Sequence, residues 1–119
     1  MKEDKLGTLS MELSVSILNL VKELREKKEN IISNQIGRSA TSVCANIAES
    51  KYGHSRADFI AKLEIALKEA SETGKWLDML YQTNYIDENK YKSISKICST
   101  IRILLIASIK TAKQNADKD

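Results

Sequence analysis

The chain has 119 residues, 42% hydrophobic and 29% charged, which suits one packed domain and argues against disorder. It contains no proline and only four glycines, which argues against a sheet sandwich with many tight turns. The net charge is a mild +3, and one histidine with two cysteines leaves little for metal or catalytic-triad chemistry.

The first residues, Met1-Lys2-Glu3-Asp4-Lys5, lead into no signal-like apolar block. No apolar run approaches the roughly 18 residues of a membrane span. A soluble cytoplasmic protein is the expectation. The first predicted helix runs over about residues 8–28. Leu9, Leu13, Ile17, Leu20 and Leu24 recur at spacings of four and three and so share one helical face. Thr8 or Ser10 is placed to cap its start. Arg25 to Asn30 breaks the apolar pattern and reads as a loop.

The second helix is predicted over about residues 33–52, with Ile32, Ile36, Ser39, Val43 and Ile47 as its stripe. Small side chains crowd it (Ala40, Ser42, Cys44, Ala45, Ala48), which permits close approach of a neighbour. Gly53 suits a left-handed stop. The third helix is predicted over about residues 55–82. Ser55 and Asp58 form a cap-like start. Phe59, Leu63, Ala66, Ala70, Thr73, Leu77 and Leu80 give a sustained seam. Gly74 interrupts it at a cost of about 1 kcal/mol relative to alanine.

After the link Thr83-Asn84-Tyr85-Ile86, Asp87 caps a fourth helix reaching about residue 114. Tyr91, Ile94, Cys98, Ile101, Leu105 and Ser108 form its inward face, and Asn115 to Asp119 read as a frayed tail. Cys44 and Cys98 fall within apolar helical patterns and read as reduced, buried thiols. Short links make consecutive helices antiparallel. The expected fold is all-α: a single domain forming an up-down-up-down four-helix bundle.

Two helices carry more apolar surface than one subunit can cover. Met11, Val15 and Leu18 project away from the Leu13/Ile17 face, and Ile103 and Ile106 lie opposite Ile94 and Ile101 at about 100° per residue. Both sets are spaced as contiguous patches, which points to a homo-oligomer formed through these outer faces.

The positive charge is concentrated in the last quarter. Residues 87–119 hold seven basic and four acidic side chains. No acid falls between Asn89 and Ala116, which contain Lys90, Lys92, Lys96, Arg102, Lys110 and Lys113. A face of this kind is the electrostatic footprint expected for phosphate groups, and equally that of a solvated helix. The link Lys51-Tyr52-Gly53-His54-Ser55-Arg56 adds cations and an aromatic ring beside a helix N-terminus. His54 has no partner motif for a nucleophile, so a hydrolase finds little support.

The stretch from Gln35 to Ser50, QIGRSATSVCANIAES, resembles the Q-x-x-R-A-x-x-S-[IV]-x-x-N-I-A-E-G signature of a known family. Its members are four-helix bundle proteins related to those encoded by intervening sequences of large-subunit ribosomal RNA genes. The block from Phe59 to Thr73, followed by Trp76-Leu77-Asp78-Met79-Leu80 and Tyr85-Ile86, looks like the family's third helix and its sequel. The match spans about residues 10–112. Ser39 stands where the family has alanine and Ser50 where it has glycine, which shifts the expected turn to Gly53. Lys68-Glu69 stands where many members have Gly-Ser.

The resemblance implies a non-enzymatic protein without cofactor that assembles as a five-fold barrel. It also implies nucleic acid, RNA or DNA, as a partner. A related branch, the accessory variability proteins of diversity-generating retroelements, binds a reverse transcriptase as well. Arg38, Asn46 and Glu49 match the second-helix motif, and Glu72 matches the third-helix acid. Asn46 lies near the inward stripe and needs hydrogen bonds there. Two readings stay open: a polar network joining helices two and three, with Arg38 facing an acid such as Glu72, or a ligand site.

The function expected is a weakly sequence-specific nucleic-acid-binding protein. Lys92, Lys96, Arg102, Lys110 and Lys113 would make phosphate contacts, with Lys51 and Arg56 secondary. The alternative is a protein-interaction scaffold using Met11, Val15, Leu18, Ile103 and Ile106.

Overall fold

Apolar stripes of helical period dictate four helices, and the computed structural model, which describes residues 4–118, contains four and no strand among them. They are α1 (Lys5–Glu26), α2 (Ile31–Ser50), α3 (Arg56–Gln82) and α4 (Glu88–Lys118). Each packs against two others: α1 on α2, α2 on α3, α3 on α4, and α4 back on α1. No diagonal pair meets among the described residues, so the helices form a square around one core. The molecule is elongated, 52 × 25 × 22 Å.

The core is the set the periodicity selects. Leu13, Ile17 and Leu24 of α1, Ile36 and Val43 of α2, Leu77 and Leu80 of α3, and Ile101 and Leu105 of α4 are fully buried. Alanines at Ala40, Ala66 and Ala70 are also fully buried, which brings α2 and α3 together closely. α4 extends its buried row to Ile109 and Ala112.

Several helix ends differ from the sequence expectation, α2 running over Ile31–Ser50 rather than 33–52. Asp4, not Thr8 or Ser10, caps α1, its carboxylate accepting the Gly7 N–H at 3.0 Å; Ser10 is buried and donates to the Gly7 carbonyl. An acidic residue ahead of the apolar pattern has the same capping chemistry as serine, and one more helical turn was available before Thr8. At the other end α1 stops at Glu26. Gly53 has no left-handed backbone; positive φ occurs at Lys28 (62°) and Asn84 (65°) instead. Gly53 is favoured for space: a Cβ there would lie 3.3 Å from the Phe59 nitrogen and 3.4 Å from the Ser50 carbonyl oxygen. α4 runs to Lys118 rather than fraying from Asn115.

Two caps match the expectation. Ser55 accepts the Asp58 N–H at 3.1 Å, and Asp87 accepts the Lys90 N–H at 2.8 Å. The start of α2 is held by a group the hydrophobic pattern does not reveal. Asn30 at the boundary makes no side-chain cap. The buried Glu29 carboxylate instead accepts the N–H groups of Ile31, Ile32 and Ser33 at 3.1, 2.9 and 2.7 Å. These donors have no partner within the helix, so one charged acceptor satisfies them together.

Candidate nucleic-acid interface

Seven residues of α4 define its outward face: Lys92, Lys96, Ser99, Ile103, Ile106, Lys110 and Lys113. Their spacings alternate four and three, so they line up as a second seam opposite the core seam of the same helix. All seven are exposed, with Ile103 at 67% and Ile106 at 52%. The basic row and the apolar patch are thus one surface, with isoleucines in the middle and lysines at both ends. Arg102 stands beside it, also exposed.

The cations differ in their commitments. Lys92 pairs with Glu88 at 3.1 Å one turn before it, and Lys113 reaches Glu64 of α3 at 3.4 Å. Lys90 pairs with Glu23 of α1 at 2.7 Å and so holds α4 to α1. Lys96, Arg102 and Lys110 have no ion pair among the described residues. Lys51, expected as a secondary phosphate contact, is bonded to Asp4. That bond, with the Gly7 N–H, holds the Asp4 carboxyl below its usual range. Arg56 is exposed at the start of α3, and Tyr52 beside it is 82% exposed. His54 is exposed on the same loop.

The polar residues of α2 separate into three local arrangements. Arg38 donates to Glu69 and Glu72 of α3, both at 3.0 Å, and these acids raise its guanidinium pKa, Glu69 through its charge first. Glu69 is buried in this contact, and its signal in the sequence was only its position beside the seam. Asn46 does not join α3: its amide donates back to the Ser42 carbonyl at 2.9 Å and hydroxyl at 3.1 Å. An amide four residues on reaches the preceding turn more readily than a neighbouring helix. Glu49 approaches Lys62 at 3.5 Å. A fully buried polar link between α2 and α3 is Ser39 to Thr73, hydroxyl to hydroxyl at 2.8 Å.

The two thiols are apart in character. Cys98 is buried and donates to the Ala70 carbonyl at 3.1 Å, and burial pushes its pKa up to about 11. Cys44 is half-buried in a groove between α1 and α2. No group of three or more metal-ligating side chains occurs among the described residues. No helix among them is long and apolar enough to cross a membrane.

Met11, Val15 and Leu18 are 56, 52 and 45% exposed. Met11 lines the groove shared with Cys44 and Ala48 of α2, whereas Ile106 lines one shared with Leu67 and Lys68 of α3. The two patches therefore lie on opposite faces of the square, one at α1–α2 and one at α3–α4.

Four helices around a small-residue α2–α3 contact, with a basic and apolar outer seam, define a class of all-helical protein. Residues 3–107 match the 23S rRNA-intervening sequence protein family, and the chain belongs to it. It is also similar to a crystal structure of a protein of unknown function from the S23 ribosomal protein family of Bacteroides thetaiotaomicron. The two share 50% identity over 88% of this chain and 98% of that one, with a TM-score of 0.86. No curated protein matches the chain.

Proposed function

We propose that this chain is a non-enzymatic, cytoplasmic, homo-oligomeric nucleic-acid-binding protein with weak sequence preference, built on an antiparallel four-helix bundle. The antiparallel order is supported by contacts that run in opposite senses along the helices. Asp4 meets Lys51, Ser14 donates to Ala40, and Arg25 donates to Asn34, so α1 ascends as α2 descends. Lys62 with Glu49 and Arg38 with Glu72 give the same pattern for α2 and α3.

The observation that carries the reading is the exposed cationic row of α4, in which Lys96, Arg102 and Lys110 lack an acidic partner among the described residues. Cations free of internal pairing release counterions from a phosphate backbone without first breaking an ion pair. The row offers charge and no base-reading amide, which gives affinity with little sequence information. Self-association rests on the two exposed apolar patches. Two different patches that meet generate a head-to-tail contact, which forms a ring when the rotation between copies closes, and the resemblance implies five copies.

The test is a salt titration of binding to single-stranded and duplex RNA and DNA. Affinity is expected to fall steeply and log-linearly with salt, with a shallower slope in Lys96→Gln/Lys110→Gln. A flat response overturns the reading. The exposed patches also favour a second reading, a scaffold that binds another protein. It survives only if light scattering finds single subunits with those five residues open to solvent.

A further inference from the structure

Beside the basic row, α4 carries a stretch that outruns its neighbour. Ser93, Ile97, Leu104, Ser108, Thr111 and Asn115 share the side of α4 turned towards α1, and Ser93 lines the groove between the two helices. The bond of Lys90 to Glu23 fixes the register. Counting from it along antiparallel helices puts Lys5, where α1 begins, level with Ser108. Ile97 and Leu104 fall within the length of α1 and are half-buried, whereas Thr111 and Asn115 run past its start and are exposed. On α3, Phe59 prolongs the buried series Leu63, Ala66 and Ala70 by one turn towards the same end and is only half-buried.

The result is an open cleft of about 590 Å³ between the first turn of α3 and the last turns of α4. Phe59 supplies aromatic surface, Ala107 keeps the α4 wall low, and Ser108, Thr111 and Asn115 line it with polar groups, with Arg56 on the α3 side. Elsewhere Thr41, Thr73 and Thr100 donate to the carbonyl one turn back, which satisfies a helical hydroxyl locally. Ser108, Thr111 and Asn115 make no side-chain hydrogen bond among the described residues. A ring beside two hydroxyls and a carboxamide suits a planar ligand whose edge carries both donors and acceptors, and the cleft has room for one nucleotide.

Resting on the nucleic-acid reading above, we propose that this cleft takes one unpaired base of a single strand whose phosphates follow the outward row of α4. The base lies against Phe59, and its edge meets Thr111 and Asn115. At about 100° per residue Ala107 falls between Thr111 and Lys110, and it is small and exposed, so the strand crosses α4 there. The row supplies affinity through charge, and the cleft supplies a preference for single strands, because a base held in a duplex reaches it only by leaving its stack.

Binding of the full chain to three probes of equal length tests this, in RNA and DNA forms: a mixed-sequence single strand, an abasic strand and a duplex. At one salt concentration the mixed-sequence strand is expected to bind about tenfold tighter than the abasic one. Two variants should each remove most of that advantage: Thr111→Val/Asn115→Ala, at exposed positions, and Phe59→Leu, which keeps apolar bulk without the ring. Neither should change the abasic strand, the duplex or the salt slope, whereas Lys110→Gln weakens all three probes. A parent that binds both single strands equally overturns the cleft, while a steep salt slope would leave the charged row standing. Variants that weaken the abasic strand as much as the mixed-sequence one also overturn it. So does a nucleoside monophosphate bound as tightly as the strand, because the row would then add nothing. No salt-dependent binding of any probe overturns both readings.

Discussion

The α2–α3 contact and the outer faces of α1 and α4 use similar residue types to opposite ends. Between α2 and α3 the side chains are matched within the subunit: Ala40, Ala66 and Ala70 are fully buried, Ser39 meets Thr73, and Arg38 meets Glu69 and Glu72. On the outer faces of α1 and α4, Met11, Val15, Leu18, Ile103 and Ile106 stand exposed and Lys96 and Lys110 unpaired among the described residues. The first region answers to the fold of one chain. The second has groups of the kind that a fold alone leaves to a partner.

The sharpest way to break this contrast is to truncate one side chain from each region. Leu77 on α3 is fully buried, so Leu77→Ala removes packing and leaves a cavity. We expect a loss of about 2–5 kcal/mol in denaturant unfolding. Ile103 is 67% exposed, and Ile103→Ala should change the stability of the isolated subunit by less than about 0.5 kcal/mol while weakening assembly. Equal losses in the two variants would show that α4's outer face belongs to the core.

The next effect concerns Glu29. Glu29→Ala strips the acceptor from three N–H groups at the start of α2. A cost of about 1–2 kcal/mol is expected, with helicity lost first in Ile31 to Ser33 by hydrogen exchange. A variant as stable as the parent would mean that water caps this end equally well.

How much of this was legible in the sequence follows from what each feature depends on. Helical period alone selects the core, because burial of Leu13, Ile36, Leu77 and Ile101 needs only a stripe. It also selects the five exposed residues, because a second stripe on the same helix has no inner place to go. The caps at Ser55 and Asp87 were readable, since each is local. Asp4 and Glu29 were not, since acidic residues in a charged stretch look alike until the backbone shows which one meets free N–H groups. The partner of Asn46, Ser42 one turn back, is not legible in the sequence, because a place on the helical wheel does not reveal which way an amide turns.

A smaller effect separates necessity from tolerance within the well-matched region. Gly74 interrupts the α3 seam at a cost of about 1 kcal/mol relative to alanine. A Cβ built there meets nothing within 4 Å, and its φ is not positive. Gly74→Ala should therefore stabilise the chain by about 0.5–1 kcal/mol, measured by thermal unfolding of the isolated subunit. Destabilisation would reveal a close approach at this point.

The smallest expected effect lies at the exposed end of α1. Asp4 is held below the usual carboxylate range by Lys51 and by the Gly7 N–H. A carboxyl depressed in the folded state contributes stability that is present above its unfolded pKa and is lost as pH falls through the folded value. Both partners are about half exposed, so solvent screens the pair and the stability term is slight. Its signature is therefore spectroscopic. In Lys51→Met the Asp4 carboxyl should titrate at higher pH by NMR yet stay below the unfolded value, because the Gly7 N–H remains. A return all the way to the unfolded value would show that the helix end contributes nothing without the lysine. No movement would show that the cap acts alone and that Lys51 stays available to an outside anion, which would return it to the phosphate contacts first expected of it.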